Sequence, residues 1–420
     1  MSLDDQHGQL ISKYLWWEPL YIALLAIPLT LPDKIIPIQW HGVLVIFLFL
    51  GWPLRWLRRH KQPLHYTPLR WPLMIILLWL PVNLWVAIDS SAAWIAAGHL
   101  LLGVALYVAL INWQPVQEHP QWIAYGLCAV GSLMALFAPP FIQWKPRFRL
   151  FHLPIYDLFG AMNVDTLTET IHANVLAGVL VMILPLLVAL LFYKKPNFQE
   201  KTRFLSLWAA MLLIAALLML TQSRGAYLAG IVAVSIVALF RWQRLFYGLP
   251  LVCLAIGWAI YHLGSQTIFE LLGADNTFGG AIFRSDVWGN SVYALSDFVF
   301  TGIGMGNFNQ VVPVIYPFAQ VNGANAYHAH NLYLQIGLDL GLPGAIAYGA
   351  LVINAIVLAW TARSGTSNSL DPVLAIGTMG SIAAMLVHGL LDAVTWSTKL
   401  AFMPWIFYAQ IVLIFRRKMC

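Results

Sequence analysis

The residues best equipped for chemistry lie in Tyr327-His328-Ala329-His330-Asn331-Leu332-Tyr333-Leu334-Gln335, followed by Gly341-Leu342-Pro343-Gly344. Two imidazoles and an amide stand where a long polar segment runs into a long apolar one, so groups that titrate near neutrality sit at a membrane boundary. A lone histidine in such a place is commonly an interface residue satisfied by headgroups or water; a His-x-His-Asn cluster at a helix entrance fits that reading less well. The apolar positions after Asn331, and the capping ability of Asn, predict a helix starting there, broken or kinked at Gly341 and Pro343. A helix N-terminus disfavours an imidazolium, which keeps His328 or His330 neutral and able to accept a proton as a general base. Metal binding competes, since His-x-His on an extended segment can point both rings one way. No carboxylate or Cys partner stands at a recognisable metal-ligand spacing, so no metal and no cofactor is expected.

Two arginines supply the complementary chemistry. Arg224 lies between apolar segments only a few residues apart, which places its permanently charged, forked guanidinium at the bilayer surface or inside the bundle. Gly225 beside it leaves room for a ligand or another backbone. The alternative is an interfacial arginine snorkelling to headgroups. Arg284, in Phe283-Arg284-Ser285-Asp286, is either a second phosphate clamp or a surface residue paired with Asp286. The run Lys145-Pro146-Arg147-Phe148-Arg149 suits anionic lipid headgroups better than catalysis. Gly302-Ile303-Gly304-Met305-Gly306-Asn307 lacks the preceding strand and the Lys-Ser/Thr of a nucleotide loop and reads as a turn.

These residues must be positioned by a membrane scaffold. The 420-residue chain is 60% apolar and 10% charged, with mean hydropathy +0.74, which excludes an ordinary soluble domain. Nineteen tryptophans and sixteen tyrosines, many at the ends of apolar runs, suit aromatic interface belts. About twelve transmembrane helices are predicted, at 14–31, 36–54, 71–88, 93–113, 121–138, 172–193, 204–221, 225–240, 245–262, 332–361, 372–390 and 399–415. Residues 1–420 thus read as a single all-α polytopic membrane domain. The N-terminus has no signal-peptide pattern, so the first span is expected to be retained. Cys128, Cys253 and Cys420 indicate neither a disulfide framework nor a metal site.

If the spans alternate, sixteen of the twenty-three Lys and Arg fall on one side, which the positive-inside rule makes cytoplasmic. The net charge of +6 therefore serves topology and does not argue for nucleic acid. Both termini are then cytoplasmic, and two long loops, 139–171 and 263–331, lie outside. The outer face also collects Asp157, Asp165, Asn307, His388, Asp392 and Lys399. Its basic residues work against topology and are easier to explain by a bound anion.

Several stretches resemble the O-antigen ligase and polymerase superfamily of bacterial membrane glycosyltransferases. They are Thr221-Gln222-Ser223-Arg224-Gly225-Ala226-Tyr227, Phe283-Arg284 with Trp288, Gly302 to Phe308, and His328 to Gln335 with Gly341-Leu342-Pro343-Gly344. Glu169-Thr170-Ile171-His172-Ala173-Asn174 is similar to the family too; the resemblance covers roughly 165–395. It implies a GT-C-like enzyme of the inner membrane with its active site on the periplasmic side and short helices in the large outer loop. Such an enzyme is metal-independent and moves a glycan, with inversion, from undecaprenyl diphosphate to an acceptor hydroxyl. By the same resemblance His330 would be the catalytic base, and Arg224 and Arg284 would bind the diphosphate. His328, Asn331, Gln222 and Tyr227, in the same motifs, would support them, and Asp339 stands where the family often carries an acidic residue.

The resulting expectation is a ligase using lipid A core as acceptor. Its alternatives are a polymerase extending a growing glycan, a protein O-oligosaccharyltransferase and, from a different class, a lipid-linked glycan or anion transporter. Glycosidase chemistry would need paired carboxylates, and none stand at obvious spacing on the outer face. Against transport, the spans show no recurring polar residues at mid-membrane and no matching interrupted helices.

Overall fold

The computed structural model describes residues 17–30, 40–50, 67–144, 154–161, 171–192, 201–248, 281–318, 326–364 and 370–419, with scattered residues at 37 and 250–262. The helices in chain order are α1 (Glu18–Thr30), α2 (His41–Leu48), α3 (Arg70–Val86), α4 (Ser90–Asn112), α5 (Gln114–Glu118), α6 (Gln121–Phe137), α7 (Ile155–Ala161) and α8 (Ala173–Leu191). They continue as α9 (Lys201–Leu220), α10 (Arg224–Arg241), α11 (Ala281–Asp297), α12 (Phe308–Ile315), α13 (Leu332–Ala362), α14 (Asp371–His388) and α15 (Met403–Met419). A two-residue parallel pair, β1 (Ile142–Gln143) with β2 (Ile171–His172), closes the first long loop.

Among the described residues, six helices are long and apolar enough to cross a membrane: α4, α8, α9, α10, α13 and α14. Of the twelve predicted spans, six are thus met at full length; α1, α3 and α6 are shorter apolar helices. Residues 249, 252, 253, 256, 259 and 260 of the ninth span, 245–262, lie outside the described residues, as do Lys145 to Arg149, Asp165 and Glu169.

α8 is the hub. Its most apolar window is 89% buried, and α6, α9, α10 and α14 pack around it. α4 is a second interior helix, packed on α1, α2 and α15. α13 and α14 join the two groups, α13 contacting α3, α14 and α15. α9 buries only 17% of its window and turns Leu205, Leu212 and Met219 outward, as lipid contact requires. Exposed Trp71, Trp85, Trp122 and Trp242 stand near helix ends, where indoles favour the interface.

α13 explains how the site is placed. Its first turn is capped by Asn331, whose Oδ1 accepts from the backbone N–H groups of Tyr333 and Leu334 at 3.0 and 3.1 Å. At Gly341 the backbone adopts φ 67°, ψ 179°, a conformation open essentially to glycine alone, and the helix breaks. Pro343 follows without cost, having no N–H to lose. The arm beyond the break is about 21 residues, or about 31 Å, enough to cross the hydrocarbon by itself. The break therefore leaves the first arm, 332–340, free to serve the site.

The broken helix needs its polar groups satisfied. The Leu338 carbonyl accepts from the Ile303 N–H at 2.7 Å, and the Leu340 carbonyl from Trp79 Nε1 at 2.8 Å. Leu342 N–H donates to the Val299 carbonyl at 2.7 Å. The glycine-rich stretch is thus a turn docked on the kink; at Gly302 a Cβ would run into the Leu338 carbonyl oxygen. Asn307 at its end exchanges hydrogen bonds with the Asp89 backbone, taking the Asp89 N–H at 2.7 Å. Phe283, Val287, Ile303, Phe308, Val312, Ala329 and Leu338 form a separate small core over this end of the bundle, fixing α11 against the start of α13.

Candidate active site

The start of α13 is stapled to the end of α14. Leu332 N–H donates to the Gly389 carbonyl at 2.6 Å, Asn331 Nδ2 to the Leu390 carbonyl at 3.2 Å, and the Tyr333 hydroxyl to the Leu386 carbonyl at 2.9 Å. This clasp brings Asp392, just past α14, under the two histidines. His330 Nδ1 lies 3.8 Å and His328 Nε2 3.7 Å from Asp392 Oδ1. The two rings are 4.1 Å apart between centroids, and Phe283 of α11 meets the His330 ring edge-on at 5.7 Å.

The backbone here is held in an uncommon shape. His330 has φ 48°, in the left-handed region, and its N–H donates to His328 Nδ1 at 3.1 Å. Because that nitrogen spends its lone pair on a backbone donor, the neutral His328 ring carries its hydrogen on Nε2, facing Asp392. The trio His328, His330 and Asp392 has the spacing of a metal site. A metal would need the lone pair of His328 Nε2, which holds the hydrogen instead, so this donor set does not fit a resident metal.

The electrostatics are those of a largely buried cluster of histidines around one carboxylate, with Arg284 within electrostatic reach. Burial, then repulsion from His328 once that ring is protonated and from Arg284, pushes His330 down to about 3 against the pull of Asp392. Burial raises the Asp392 carboxyl, but His328, His330, His388 and Arg284 outweigh it and hold it at about 2. At neutral pH the site therefore contains an uncharged imidazole beside a carboxylate, the arrangement of an oriented base.

Arg284 is partly buried on the first turns of α11, and its charge is felt by His330, His388 and Asp392 alike. Arg224 is the first residue of α10. A Cβ on its neighbour Gly225 would touch Leu391 at 3.3 Å and His388 Cδ2 at 3.7 Å, so Arg224 enters beside the turn that carries Asp392. A guanidinium at a helix N-terminus has the wrong sign for the dipole, and an anion held between them relieves both. Gln222 and Tyr227 face the fold: Gln222 Nε2 donates to the Tyr156 hydroxyl at 2.9 Å, and the Tyr227 hydroxyl to the Met219 carbonyl at 2.5 Å. They shape the hairpin that presents Arg224.

Three participants are not singled out by sequence reasoning. Asp392 stands there only as an outer polar residue, and the four-residue step from His388, both facing one side of a turn, is its one local signal. His388 is buried, with its ring against Gly178 of α8 and near Gly225 of α10. His172 caps α8, its Nδ1 accepting from the Asn174 N–H at 3.2 Å, and its charge reaches His330.

The fold and this cluster define an all-helical membrane protein with an imidazole–carboxylate pair within reach of the Arg284 charge. Residues 209–349 match the O-antigen ligase family model, the family whose motifs the sequence resembles. The matched stretch holds Arg224, Arg284, His328 and His330 and stops short of Asp392. No curated protein matches the chain in sequence.

Proposed function

We propose that the protein is an O-antigen ligase-type glycosyltransferase of the bacterial inner membrane. It would transfer a glycan from undecaprenyl diphosphate to a hydroxyl of lipid A core on the periplasmic face. The observation that supports this reading is the buried His330 imidazole of the family-matched stretch, 3.8 Å from Asp392 Oδ1 and within reach of the Arg284 charge.

In the proposed step the acceptor hydroxyl oxygen attacks the anomeric carbon from the side opposite the diphosphate, giving inversion. His330 Nε2 takes the hydroxyl proton while Nδ1–H turns toward Asp392. The bond between the anomeric carbon and the phosphate oxygen breaks, and its electron pair leaves on the diphosphate. Arg224 and Arg284 balance the charge that develops there, the task a divalent ion performs in other transferases. The preactivated leaving group makes a carboxylic acid dispensable.

Purified protein incubated with undecaprenyl diphosphate-linked glycan and lipid A core in EDTA tests the reading. Glycan-bearing lipid A core should form, and should vanish in His330→Ala and fall steeply in Arg224→Ala. Movement of intact donor across a vesicle bilayer, with no change in its linkage, would overturn the enzyme in favour of a carrier. Glycan lengthening on the lipid-linked donor, with no transfer to lipid A core, would assign polymerisation instead.

A further inference from the structure

A chain of buried hydrogen bonds runs from the kink of α13 to the histidines. Asp339, fully buried just before the break, accepts from Trp396 Nε1 at 2.8 Å and from the Ser397 hydroxyl at 2.6 Å on Oδ2. Its Oδ1 accepts from Gln335 Nε2 at 2.9 Å, and the Gly306 backbone adds a further hydrogen bond. Gln335, 3% exposed, then offers its Oε1 to the Ala329 N–H at 2.8 Å. Ala329 is the residue between the two histidines, itself fully buried, and the left-handed turn at His330 follows directly.

The polarity of this chain is fixed by its ends. Trp396 Nε1 and the Gly306 N–H can only donate, so residue 339 must accept. An accepting Asp339 orients the Gln335 amide with its nitrogen toward 339, which leaves the oxygen for Ala329. An amide free to rotate could present its nitrogen to the Ala329 N–H, and two buried donors facing one another would force the turn open.

We propose that Gln335 and Asp339 are positioning residues for the transfer reaction: Asp339 sets the direction of the Gln335 amide, and Gln335 pins the His328–His330 turn that lays the base against Asp392. The inference rests on the catalytic reading of His330. It adds that α13 is broken at Gly341 so that its first arm can carry this relay. The docked turn 299–306, which closes on the same kink, makes one rigid unit of the relay, the glycine-rich stretch and α11 with Arg284.

The test uses the full-length protein in detergent with three variants: Asp339→Asn, Gln335→Glu, and the two combined. In Asp339→Asn the remaining carbonyl oxygen must serve Trp396 and Ser397, so the new NH2 group faces Gln335, whose amide flips and loses Ala329. In Gln335→Glu two carboxylates face one another in a buried site. With both changes, the amide NH2 introduced at 339 donates to one oxygen of the carboxylate introduced at 335, reversing that one bond, and the other oxygen accepts from Ala329, restoring the acceptor that pins the turn. Each single change should lower kcat at least tenfold with the donor KM within about twofold, and the combination should recover most of the loss. In parallel, acylation of His330 by diethyl pyrocarbonate, followed by mass spectrometry against the exposed His119, should quicken several-fold in each single variant and return to the wild-type rate in the double.

Singles with wild-type rates, or a double no better than the worse single, would overturn the relay. The labelling pattern keeps this apart from the catalytic reading. Relay-dependent protection of His330 in a protein that transfers no glycan would sink the enzyme and leave the relay standing, whereas normal transfer with unchanged labelling would sink the relay alone.

Discussion

His330 Nδ1 and Asp392 Oδ1 stand 3.8 Å apart across the junction of α13 and α14, although neither helix contains either residue. Each belongs to a turn, and the two turns are held together by the Leu332, Asn331 and Tyr333 hydrogen bonds to the end of α14. The separation is longer than a hydrogen bond, as is common for acid–base pairs before substrate closes the site.

That relationship makes Asp392 the first residue to change. Asp392→Asn keeps the shape, removes the charge that favours a protonated His330, and lets the ring choose the wrong tautomer. A fall of roughly a hundredfold or more in kcat, with donor binding little altered, is expected by analogy with other histidine–carboxylate pairs. Steady-state transfer kinetics check it, and a kcat within threefold of wild type would show that the carboxylate does not act through His330.

The arginines should separate by role. Arg224→Ala removes a charge from the mouth of α10 and should cost about a hundredfold to a thousandfold in kcat. Arg224→Lys keeps the charge but loses the planar fork, so a partial loss is expected, shown mainly in donor KM. Equal activity in all three proteins would return Arg224 to the status of an interfacial residue.

Much of this site is legible in the sequence because its signals are local. The Asn331 cap, the break at Gly341 and the turn at 302–306 each follow from residue types within a few positions, and the structure contains all three. Asp392 is not legible as a partner of His330, because their pairing depends on which helix ends meet. No periodicity encodes the Leu332 to Gly389 hydrogen bond. The Gln335 to Ala329 bond is hidden for a different reason. Gln335 sits at a helical position that reads as an ordinary polar site, and only its burial reveals that it must have partners. Gln222 and Tyr227 share the Arg224 motif, and one hydrogen bond of each, to the Tyr156 hydroxyl and the Met219 carbonyl, could not be read from it.

The break in α13 can be tested by stability alone. Gly341→Ala puts a Cβ into the Phe300 carbonyl and forces a non-glycine residue to φ 67°, ψ 179°. The backbone strain alone costs of order 1–3 kcal/mol. A lower thermal midpoint in detergent is expected, together with loss of transfer as the 299–306 turn lifts from the kink. An unchanged midpoint would mean that the kink is not set by this residue.

The pH dependence follows from the two perturbed groups. His330 is held at about 3, chiefly by burial, so it stays neutral down to acidity at which an exposed histidine is already charged. The acid fall of kcat/KM, which reports the free enzyme, should therefore lie well below a pH of about 6.5. Bound diphosphate brings negative charge beside the ring and favours the imidazolium, so the acid fall of kcat should sit at higher pH than that of kcat/KM. Stability has the opposite source. The unfolded chain binds a proton at His330 from about pH 6.5 downward while the folded protein does not, so stability declines as pH drops through that range. Asp392, held at about 2, adds a second decline once pH falls through the ordinary carboxylate range, because the unfolded carboxyl then protonates first. Thermal midpoints measured from about pH 7.5 to about pH 4 should fall continuously, and Asp392→Asn should flatten the lower part of that curve. A kcat/KM profile that falls with a midpoint near the ordinary histidine value of about 6.5 would instead show that the base is not held neutral by burial.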